Sequence, residues 1–315
     1  MPTVSIVISA FNEEEGIKDC LESVKDLADE IVFVDNESGD KTVDIAKKYM
    51  SKIFSRSNNP MLNVNKNFGF TKATGDWILS LDADERVTAE LSKEIKEVLN
   101  GKWKMENGKF HVDGYWIPRK NIIFGKWIQH SIWWPDYQLR LFKRGKGKFP
   151  EKHVHEYIQV EGETAKLQMP IVHENYKTVS QWIQKMDKIY TDNEVVNRLA
   201  AGEKVVWTDA ISFPSQDFLK TFFLQKGYKD GLHGLVLSLM QAFYAEIVFA
   251  KMWELQRFED KESKHFLSDI YKTFIGSARE FQYWFFTSVL DETRNPLKKI
   301  VYRLLRKRAQ RKLNL

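Results

Sequence analysis

Two aspartates separated by one residue, Asp82 and Asp84, directly follow the apolar segment "WILSL" at residues 77–81. Carboxylates at this spacing can present oxygen ligands to Mg²⁺ or Mn²⁺, which takes one or two protein carboxylates and completes its shell with water or phosphate. The alternative is an acidic turn or helix cap, and the motif alone is weak evidence. Its place after a buried strand favours a cation site that neutralises a leaving diphosphate.

The segments around these aspartates alternate between strand and helix patterns. The continuous apolar runs "VSIVISA", "EIVFVD" and "WILSL" are typical of strands covered on both faces, and helical patterns follow them. This alternation predicts an α/β fold with a doubly wound, Rossmann-like, mostly parallel sheet. Ligands of such sheets bind at the carboxyl ends of the strands. We therefore expect Glu13, Asp35, Asp82 and Asp84 to meet in one crevice.

The pattern changes after about residue 100. Aromatic, strand-like segments with glycine turns come first, and from Val179 onward the chain is helical in pattern and richer in lysine. We predict a catalytic domain at 1–175, a helical region at 176–260 and a second helical region with a basic tail at 261–315. The last two regions form a helical C-terminal extension.

The net charge of +5 is concentrated at the C-terminal end of the 315 residues. Residues 296–315 contain eight Lys or Arg residues and no acid, so the rest of the chain is slightly acidic. Apolar residues interleave with these charges at roughly helical spacing, and a basic amphipathic helix is typical of membrane-surface or nucleic-acid elements. The single cysteine, Cys20, excludes an intramolecular disulfide and fits a reducing compartment.

One apolar segment, residues 232–253, approaches the length of a membrane span. It contains His233, Gln241 and Glu246, so it lacks a clean run of about 18 apolar residues. A buried helix and a helix lying in the bilayer interface remain equal alternatives.

Three segments carry a family resemblance: "VSIVISAFNEEEGIKDCLESV", "EIVFVDNESGDKTVDIA" and "GDWILSLDADERV". They resemble the signature blocks of family 2 glycosyltransferases, which have the GT-A fold. In the second half, "WWPDYQLRLFKRGKGKF" and "FLKTFFLQKGYKDGLHGLVLSLMQAFY" are similar to the lipopolysaccharide inner-core β-glucosyltransferase branch. The resemblance implies an inverting transfer of a hexose from a nucleotide-sugar, with UDP-glucose as the first choice, to a saccharide acceptor.

The resemblance also assigns donor-site roles. It implies that the loop after the first strand wraps the nucleotide, that Glu13 holds the ribose and that Asp35 recognises the base. Lys66 would lie near the donor phosphates, Asp82 would contact ribose and sugar, and Asp84 would bind Mn²⁺ or Mg²⁺. Structural alternatives are an Asx turn at Asp35 and a favourable helix-dipole interaction at Glu13. The implied donor-binding residues are Ala10, Phe11, Asn12, Glu13, Asp35, Asn36, Lys66, Asn67 and Asp82.

An inverting transfer needs one general base to deprotonate the acceptor hydroxyl. In the family this base is an acid in an "ED"-like motif, and the matching stretch "KHVHEYI" supplies Glu156. His155 is a second candidate, because histidine can take a proton near neutral pH. The sequence departs from strict "ED", and the structural alternative is an exposed Glu156 paired with a lysine.

Three polar side chains in "WWPDYQLRLF" occupy alternate positions and would share one face of a strand: Asp136, Gln138 and Arg140. An arginine there can bind a diphosphate bidentately, so we add Gln138 and Arg140 to the donor site. The two tryptophans that open the segment either stack on a sugar or belong to the core. His173 is a candidate metal ligand beside Asp84, although a lone histidine is more often structural.

A lipid-linked acceptor would place the enzyme in the cytoplasm, on the inner face of the cytoplasmic membrane. Each Lys or Arg near anionic lipid contributes about 1 kcal/mol, so the tail predicts an anionic membrane as partner. The slightly acidic remainder of the chain predicts no nucleic-acid partner. Two alternatives remain. A nucleotidyltransferase usually has a basic, glycine-rich loop after the first strand, where this chain has "SAFNEEEG". A non-enzymatic nucleic-acid-binding protein would need basic, aromatic patches outside the tail. A dinucleotide-dependent dehydrogenase is excluded because no G-x-G-x-x-G follows the first strand.

Overall fold

The computed structural model describes residues 1–59, 61–101, 112–152, 156–259 and 263–313. The chain forms two compact units, Met1–Trp127 with Trp133–Lys177, and Ile128–Ile132 with Thr178–Leu315. The assignment of the short segment Ile128–Ile132 to the second unit was not anticipated from the sequence. The predicted three-part division at residues 175 and 260 stays a prediction.

The first unit alternates strands and helices up to residue 99 and is mainly strands after that. Its strands are β1 (Val4–Ala10), β2 (Glu30–Asp35), β3 (Lys52–Ser55), β4 (Trp77–Leu81), β5 (Glu85–Val87), β6 (Gly114–Ile123), β7 (Lys126–Trp127), β8 (Asp136–Lys143), β9 (Gly147–Lys148), β10 (Gln159–Val160), β11 (Thr164–Lys166) and β12 (Ile171–Tyr176). Its helices are α1 (Ile17–Val24), α2 (Thr42–Lys47), α3 (Leu62–Lys72) and α4 (Ala89–Leu99).

The main sheet has the strand order β3-β2-β1-β4-β8-β6-β12-β5, with β7 and β11 paired to β6. The strands β3, β2, β1 and β4 are all parallel. Beyond them, β8 runs antiparallel to both β4 and β6, and β12 pairs parallel with β6 and antiparallel with β5. Together with the helical C-terminal region, this arrangement confirms the predicted α/β class and its mostly parallel sheet.

The parallel strands are held by apolar contacts on both faces. Alternate residues of β1 face opposite sides: Ile6 and Ile8 pack with α1, whereas Val7 packs in the cluster that contains Phe70 of α3. Each such buried side chain stabilises the fold by about 1.5–3 kcal/mol. Gly69 allows α3 to approach closely, since a Cβ there would lie 2.5 Å from the side chain of Val7.

The turn that contains Asp82 and Asp84 is fixed on both sides. Before it, β4 pairs with β1 and β8. After it, β5 pairs with β12, so that Glu85 lies opposite His173. The backbone N–H of Glu174 also donates to the carbonyl oxygen of Asp84 at 2.9 Å. The last strand of the unit is thereby brought to the aspartates.

The second unit is helical in its described part. Its helices are α5 (Val179–Lys185), α6 (Asp192–Ala200), α7 (Asp209–Phe218), α8 (Leu232–Leu255), α9 (Phe266–Glu292) and α10 (Pro296–Leu313), with π-helical stretches at Met186–Thr191 and Leu219–Leu224. A core of Val195, Val205, Val248, Phe249 and Met252 joins α6 to α8. The segment Ile128–Ile132 is fixed by Asp230, whose carboxylate accepts the backbone N–H groups of Gln129 and His130 at 3.1 and 2.9 Å.

Helix α8 corresponds to the apolar segment of the sequence. In the described part of the chain it alone has the length and composition of a membrane span, and one third of its most apolar stretch is buried within the protein. Leu237, Val248 and Met252 are buried, whereas Leu232 and Phe243 are at least half exposed. Helix α8 is therefore only partly buried within the protein, and its placement in a bilayer interface stays a prediction.

Candidate active site

Three parallel strands end side by side at one edge of the sheet. In the register of the sheet, Ala10 at the end of β1 lies beside Asp35 at the end of β2, and Ile8 lies beside Leu81 at the end of β4. Asp82 follows Leu81 directly. The strand ends that carry the predicted site residues are therefore adjacent, as expected from the order of the strands.

The loops after β1 and β2 are tied to each other through polar side chains. The backbone N–H of Asn12 donates to Ser38 Oγ at 3.0 Å, and Asn12 Oδ1 accepts from the N–H of Gly39 at 2.8 Å. Asp35 is 6% exposed, and its Oδ1 accepts the N–H of Ser38 at 3.2 Å. The Asx-type interaction is therefore present at Asp35, and base recognition by Asp35 stays a prediction.

Asn36 and Glu13, two more predicted site residues, also have hydrogen-bond partners within the protein. Asn36 is buried, donates to Ser9 Oγ at 3.0 Å and accepts from Asn65 Nδ2 at 2.8 Å. Phe11 is 41% exposed beside the buried Ala10, and the N–H of Glu13 donates to Thr42 Oγ1 at 2.7 Å. These contacts give the loop one defined shape. Direct nucleotide contacts by Ala10, Phe11, Asn12, Glu13 and Asn36 stay predictions.

An arginine that sequence reasoning missed joins this loop to the acidic turn. Arg86 donates to the carbonyl oxygens of Ala83 and Glu85 at 2.7 and 2.9 Å, and to that of Gly16 at 2.7 Å. Gly16 lies at the start of α1, directly after the loop that follows β1. The predicted nucleotide loop and the predicted metal-binding turn therefore share one side chain as a clamp.

Asp82 lies between two cations. Its Oδ1 forms an ion pair with Lys66 of α3, and its Oδ2 accepts from Arg140 Nη2 of β8 at 2.6 Å. Burial by itself would raise the pKa of Asp82, but Arg140 and Lys66 outweigh burial and hold that pKa well below its ordinary value. Asp82 is thus ionised at neutral pH, and Lys66 is brought to the acidic turn.

A buried carboxylate lies beneath the turn. Glu85 has no exposed surface, and its two oxygens accept from Arg140 at 2.7 Å and from the backbone N–H of Asp82 at 3.0 Å. Burial tends to lower the pKa of Arg140, but the charges of Asp82 and Glu85 raise it above its usual value. Arg140 is 4% exposed. These contacts favour positioning of the turn by Arg140, and direct diphosphate binding by this residue stays a prediction.

The network continues along β6 and β8. Arg119 donates to Asp136 Oδ2 at 2.8 and 2.5 Å and lies 3.8 Å from Glu85 Oε1. Gln138 donates to Asp136 Oδ1 at 2.8 Å. The three alternate side chains predicted to share a face of β8 thus enter one network, although Gln138 is occupied by its own strand. The two tryptophans before them are half-buried, and Trp134 packs edge-on against Trp127 with ring centroids 5.3 Å apart.

The two predicted metal ligands lie side by side. His173 Nε2 is 3.5 Å from Asp84 Oδ2. An octahedral ion with bonds of about 2.1 Å holds adjacent ligands about 3 Å apart, so a small movement lets both atoms bind one ion. Within the described residues no group of three or more His, Cys, Asp or Glu side chains is arranged to hold a metal. Asp84 and His173 therefore fit an ion whose remaining ligands come from diphosphate and water.

The predicted general base lies near the same helix as Lys66. Glu156 is half-buried and accepts from Asn63 Nδ2 at 3.3 Å and from the backbone N–H of Lys152 at 2.6 Å. Asn63 and Lys66 are three residues apart on α3 and so lie on one side of it. The side chain of Asn67 instead donates to the carbonyl oxygen of Phe149 and accepts from its N–H, both at 2.9 Å. His155 lies outside the described residues, and the choice of base stays a prediction.

Comparison with known proteins decides the family. Residues 5–156 match the family model described as "Glycosyl transferase family 2", and the match spans the strand ends and the acidic turn. These residues form a family 2 glycosyltransferase domain. The chain is therefore a nucleotide-sugar-dependent glycosyltransferase, which sets aside the nucleotidyltransferase and the nucleic-acid-binding protein.

Relatives of this family 2 glycosyltransferase cover most of its length. The lipopolysaccharide core biosynthesis glycosyltransferase LpsC of Rhizobium meliloti is 25% identical over 257 residues, which cover 80% of this chain and 92% of LpsC. Staphylococcus aureus TarS 1–349 with UDP-GlcNAc is 16% identical, with a TM-score of 0.46 and coverage of 81% and 91%. Mycobacterium tuberculosis glucosyl-3-phosphoglycerate synthase, solved with Mn²⁺ and UDP, is 13% identical, with a TM-score of 0.37 and coverage of 60% and 78%.

Proposed function

We propose that this glycosyltransferase transfers a hexose from a UDP-sugar to a saccharide acceptor with inversion at the anomeric carbon. The observation that carries the proposal is the acidic turn, where Asp84 faces His173 and Asp82 meets Lys66. The uracil base and the inversion follow from the resemblance of the sequence blocks to the family. The similarity to LpsC supports a lipid-linked acceptor of the lipopolysaccharide-core type.

The chemistry divides between the two sides of the site. Asp84 and His173 would hold a divalent cation, Mn²⁺ or Mg²⁺. Such a cation would neutralise charge on the leaving diphosphate. Lys66 adds a second positive charge near the same phosphates.

On the acceptor side, Glu156 removes the proton of the attacking hydroxyl. The acceptor oxygen forms a bond to the anomeric carbon while the bond from that carbon to the diphosphate oxygen breaks, and its electron pair leaves with UDP. The hydrogen bonds from Asn63 and from the backbone of Lys152 hold the Glu156 carboxylate in one orientation. General-base catalysis of this kind contributes about 10²–10⁴-fold in rate.

Calorimetric titration tests the donor site. UDP, GDP and ADP are each titrated with Mn²⁺, Mg²⁺ or EDTA into the wild type, into Asp84→Asn and into Asp44→Asn, a control whose carboxylate forms an exposed pair with Lys47. We expect UDP to bind only with a cation, Asp84→Asn to weaken binding at least tenfold and Asp44→Asn to change nothing. Equal binding of UDP to the wild type and Asp84→Asn contradicts the proposal.

We further infer that the second unit binds an anionic membrane through the helical hairpin of α9 and α10. One face of α10 packs on α9, where Tyr302 stacks near Phe286 and Ala309 is 3% exposed. A different face of α10 is apolar and at least half exposed; it consists of Leu297, Ile300, Val301 and Leu304. Helix α10 contains eight Lys and Arg residues.

Helix α9 also carries exposed apolar residues at helical spacing, at Leu267, Tyr271, Phe274 and Phe285. A basic helix with an exposed apolar stripe suits a bilayer interface, where each basic residue contributes about 1 kcal/mol and the stripe enters the acyl boundary. Such a surface would hold the enzyme at the cytoplasmic face, where a lipid-linked acceptor lies.

Vesicle flotation tests the membrane surface. The wild type is compared with Ile300→Asn/Leu304→Asn and with Lys307→Gln/Arg308→Gln/Arg311→Gln on neutral and on anionic vesicles. We expect binding to anionic vesicles only, with loss in both variants, while UDP affinity stays constant. Unchanged flotation of both variants rules this surface out.

A further inference from the structure

A buried asparagine contacts the predicted metal ligand of the first unit. Asn121 of β6 has no exposed surface, and in the pairing of β6 with β12 it lies directly beside His173. Its Oδ1 is 2.7 Å from His173 Nδ1, so the contact is a hydrogen bond. No sequence motif marks this residue.

The orientation of the Asn121 amide follows from its other neighbours. Asn121 Nδ2 donates to the carbonyl oxygen of Trp133 at 2.9 Å and lies 3.3 Å from Asp136 Oδ2. Both neighbours accept hydrogen bonds, and Asp136 Oδ2 also accepts from Arg119. A reversed amide would bring its oxygen against two other oxygens, so Oδ1 must face His173.

The amide orientation sets the proton position on the imidazole. A carbonyl oxygen can only accept, so the neutral ring of His173 carries its proton on Nδ1. Nε2 then keeps its lone pair, and this atom is the one that lies 3.5 Å from Asp84 Oδ2. The opposite tautomer would donate Nε2–H to Asp84. The two predicted metal ligands would then be hydrogen-bonded to each other and neither would be available to the cation.

We propose that Asn121 is a positioning residue that keeps His173 in the Nδ1–H tautomer and so leaves Nε2 available to the cation. The consequence for catalysis rests on the proposed function, because it requires the cation to bind at Asp84 and His173. The tautomer itself does not depend on that function. The same amide also fixes the carbonyl of Trp133, so one side chain joins β6, β12 and the segment before β8.

Nitrogen NMR of the full-length protein reads the tautomer directly. The protein is labelled with ¹⁵N-histidine, and the signals of His173 among the seven histidines are assigned with His173→Gln. We expect a protonated Nδ1 and an unprotonated Nε2 in the cation-free wild type, and protonation of Nε2 in Asn121→Leu. A protonated Nε2 in the wild type, or an unchanged tautomer in Asn121→Leu, overturns the proposal. The wild-type measurement does not depend on the folding of Asn121→Leu.

The consequence for the cation site is tested by measuring the affinity for Mn²⁺ in the presence of UDP, with electron paramagnetic resonance reporting the concentration of free Mn²⁺. Loss of the partner of a metal-binding histidine typically weakens metal affinity about 10–100-fold, and we expect a loss in this range for Asn121→Leu. A tautomer change without any Mn²⁺ binding by the wild type supports the role of Asn121 and refutes the proposed metal site. A tautomer change with unaltered Mn²⁺ affinity refutes the proposed purpose of the tautomer.

Discussion

Replacing Arg140 with methionine tests whether this residue positions the turn that contains Asp82 and Asp84 or binds the diphosphate directly. Arg140 is 4% exposed and pairs with Asp82 at 2.6 Å and with the fully buried Glu85 at 2.7 Å. Among the described residues, its loss leaves Glu85 paired with Arg119, 3.8 Å away. Breaking a buried ion pair by removing one partner costs about 3–5 kcal/mol. For a unit of this size the midpoint of thermal unfolding should fall by about 10 °C.

The free energy of unfolding is measured by urea titration with tryptophan fluorescence and circular dichroism. Glu85→Gln in the Arg140→Met background removes the stranded charge, so the double variant should be less destabilised than the two single effects add up to, with a coupling of about 1–3 kcal/mol. Lys93→Met, whose side chain is 78% exposed, is the surface control and should stay within about 0.5 kcal/mol of wild type.

The reasoning fails if Arg140→Met unfolds like the wild type. Strong loss of affinity for UDP with no loss of stability would mean that Arg140 binds the diphosphate directly, as the sequence suggested. Loss of stability with a proportionate loss of binding for UDP and uridine alike would mean that it positions the turn.

Three further outcomes are expected. Glu156→Gln should lower kcat about 10²–10⁴-fold with donor KM unchanged, whereas the control Glu151→Gln should have a kcat near that of the wild type. A normal kcat for Glu156→Gln would point to another base. Burial alone would raise the pKa of Glu30, but Lys52 and nearby hydroxyl and amide donors lower it to about 2. Glu30→Gln should therefore lower the free energy of unfolding by at most about 3 kcal/mol near neutral pH. This loss of unfolding free energy should become smaller as pH drops from about 4.5 towards 2, because the carboxylate stabilises the fold above its unfolded pKa and loses this contribution as it protonates. A loss that does not change with pH would contradict the low pKa of Glu30. Burial raises the pKa of the Cys20 thiol, so native protein should resist a disulfide reagent that labels it fully in urea, and rapid native labelling would refute this burial.

The parallel half of the sheet was predictable because its information is local. A strand covered on both faces is mainly apolar, and β1, β2 and β4 are such runs. The order of strands and helices then places their carboxyl ends at one edge. The acids that follow these strands were therefore predicted to be neighbours without knowledge of any distant contact.

The other half of the site depends on contacts between distant residues. His173 reaches Asp84 only because β12 pairs with β5, and a strand register of this kind leaves no local sequence signal. Alternation showed that Arg140 shares a face of its strand with Asp136 and Gln138, but not that it is buried between Asp82 and Glu85. The roles of Glu85, Arg86 and Asn121 were missed because a buried carboxylate, a clamping arginine and a buried amide have no motif of their own.

The segment Ile128–Ile132 has a consequence for how the chain can be divided. It interrupts the first unit between β7 and β8 but belongs to the second unit, where Asp230 holds its backbone. The chain therefore crosses between units three times rather than once. A protein ending at Lys177 would keep the segment and lose the carboxylate that satisfies its N–H groups. A single cut at Lys177 therefore does not separate the two units cleanly.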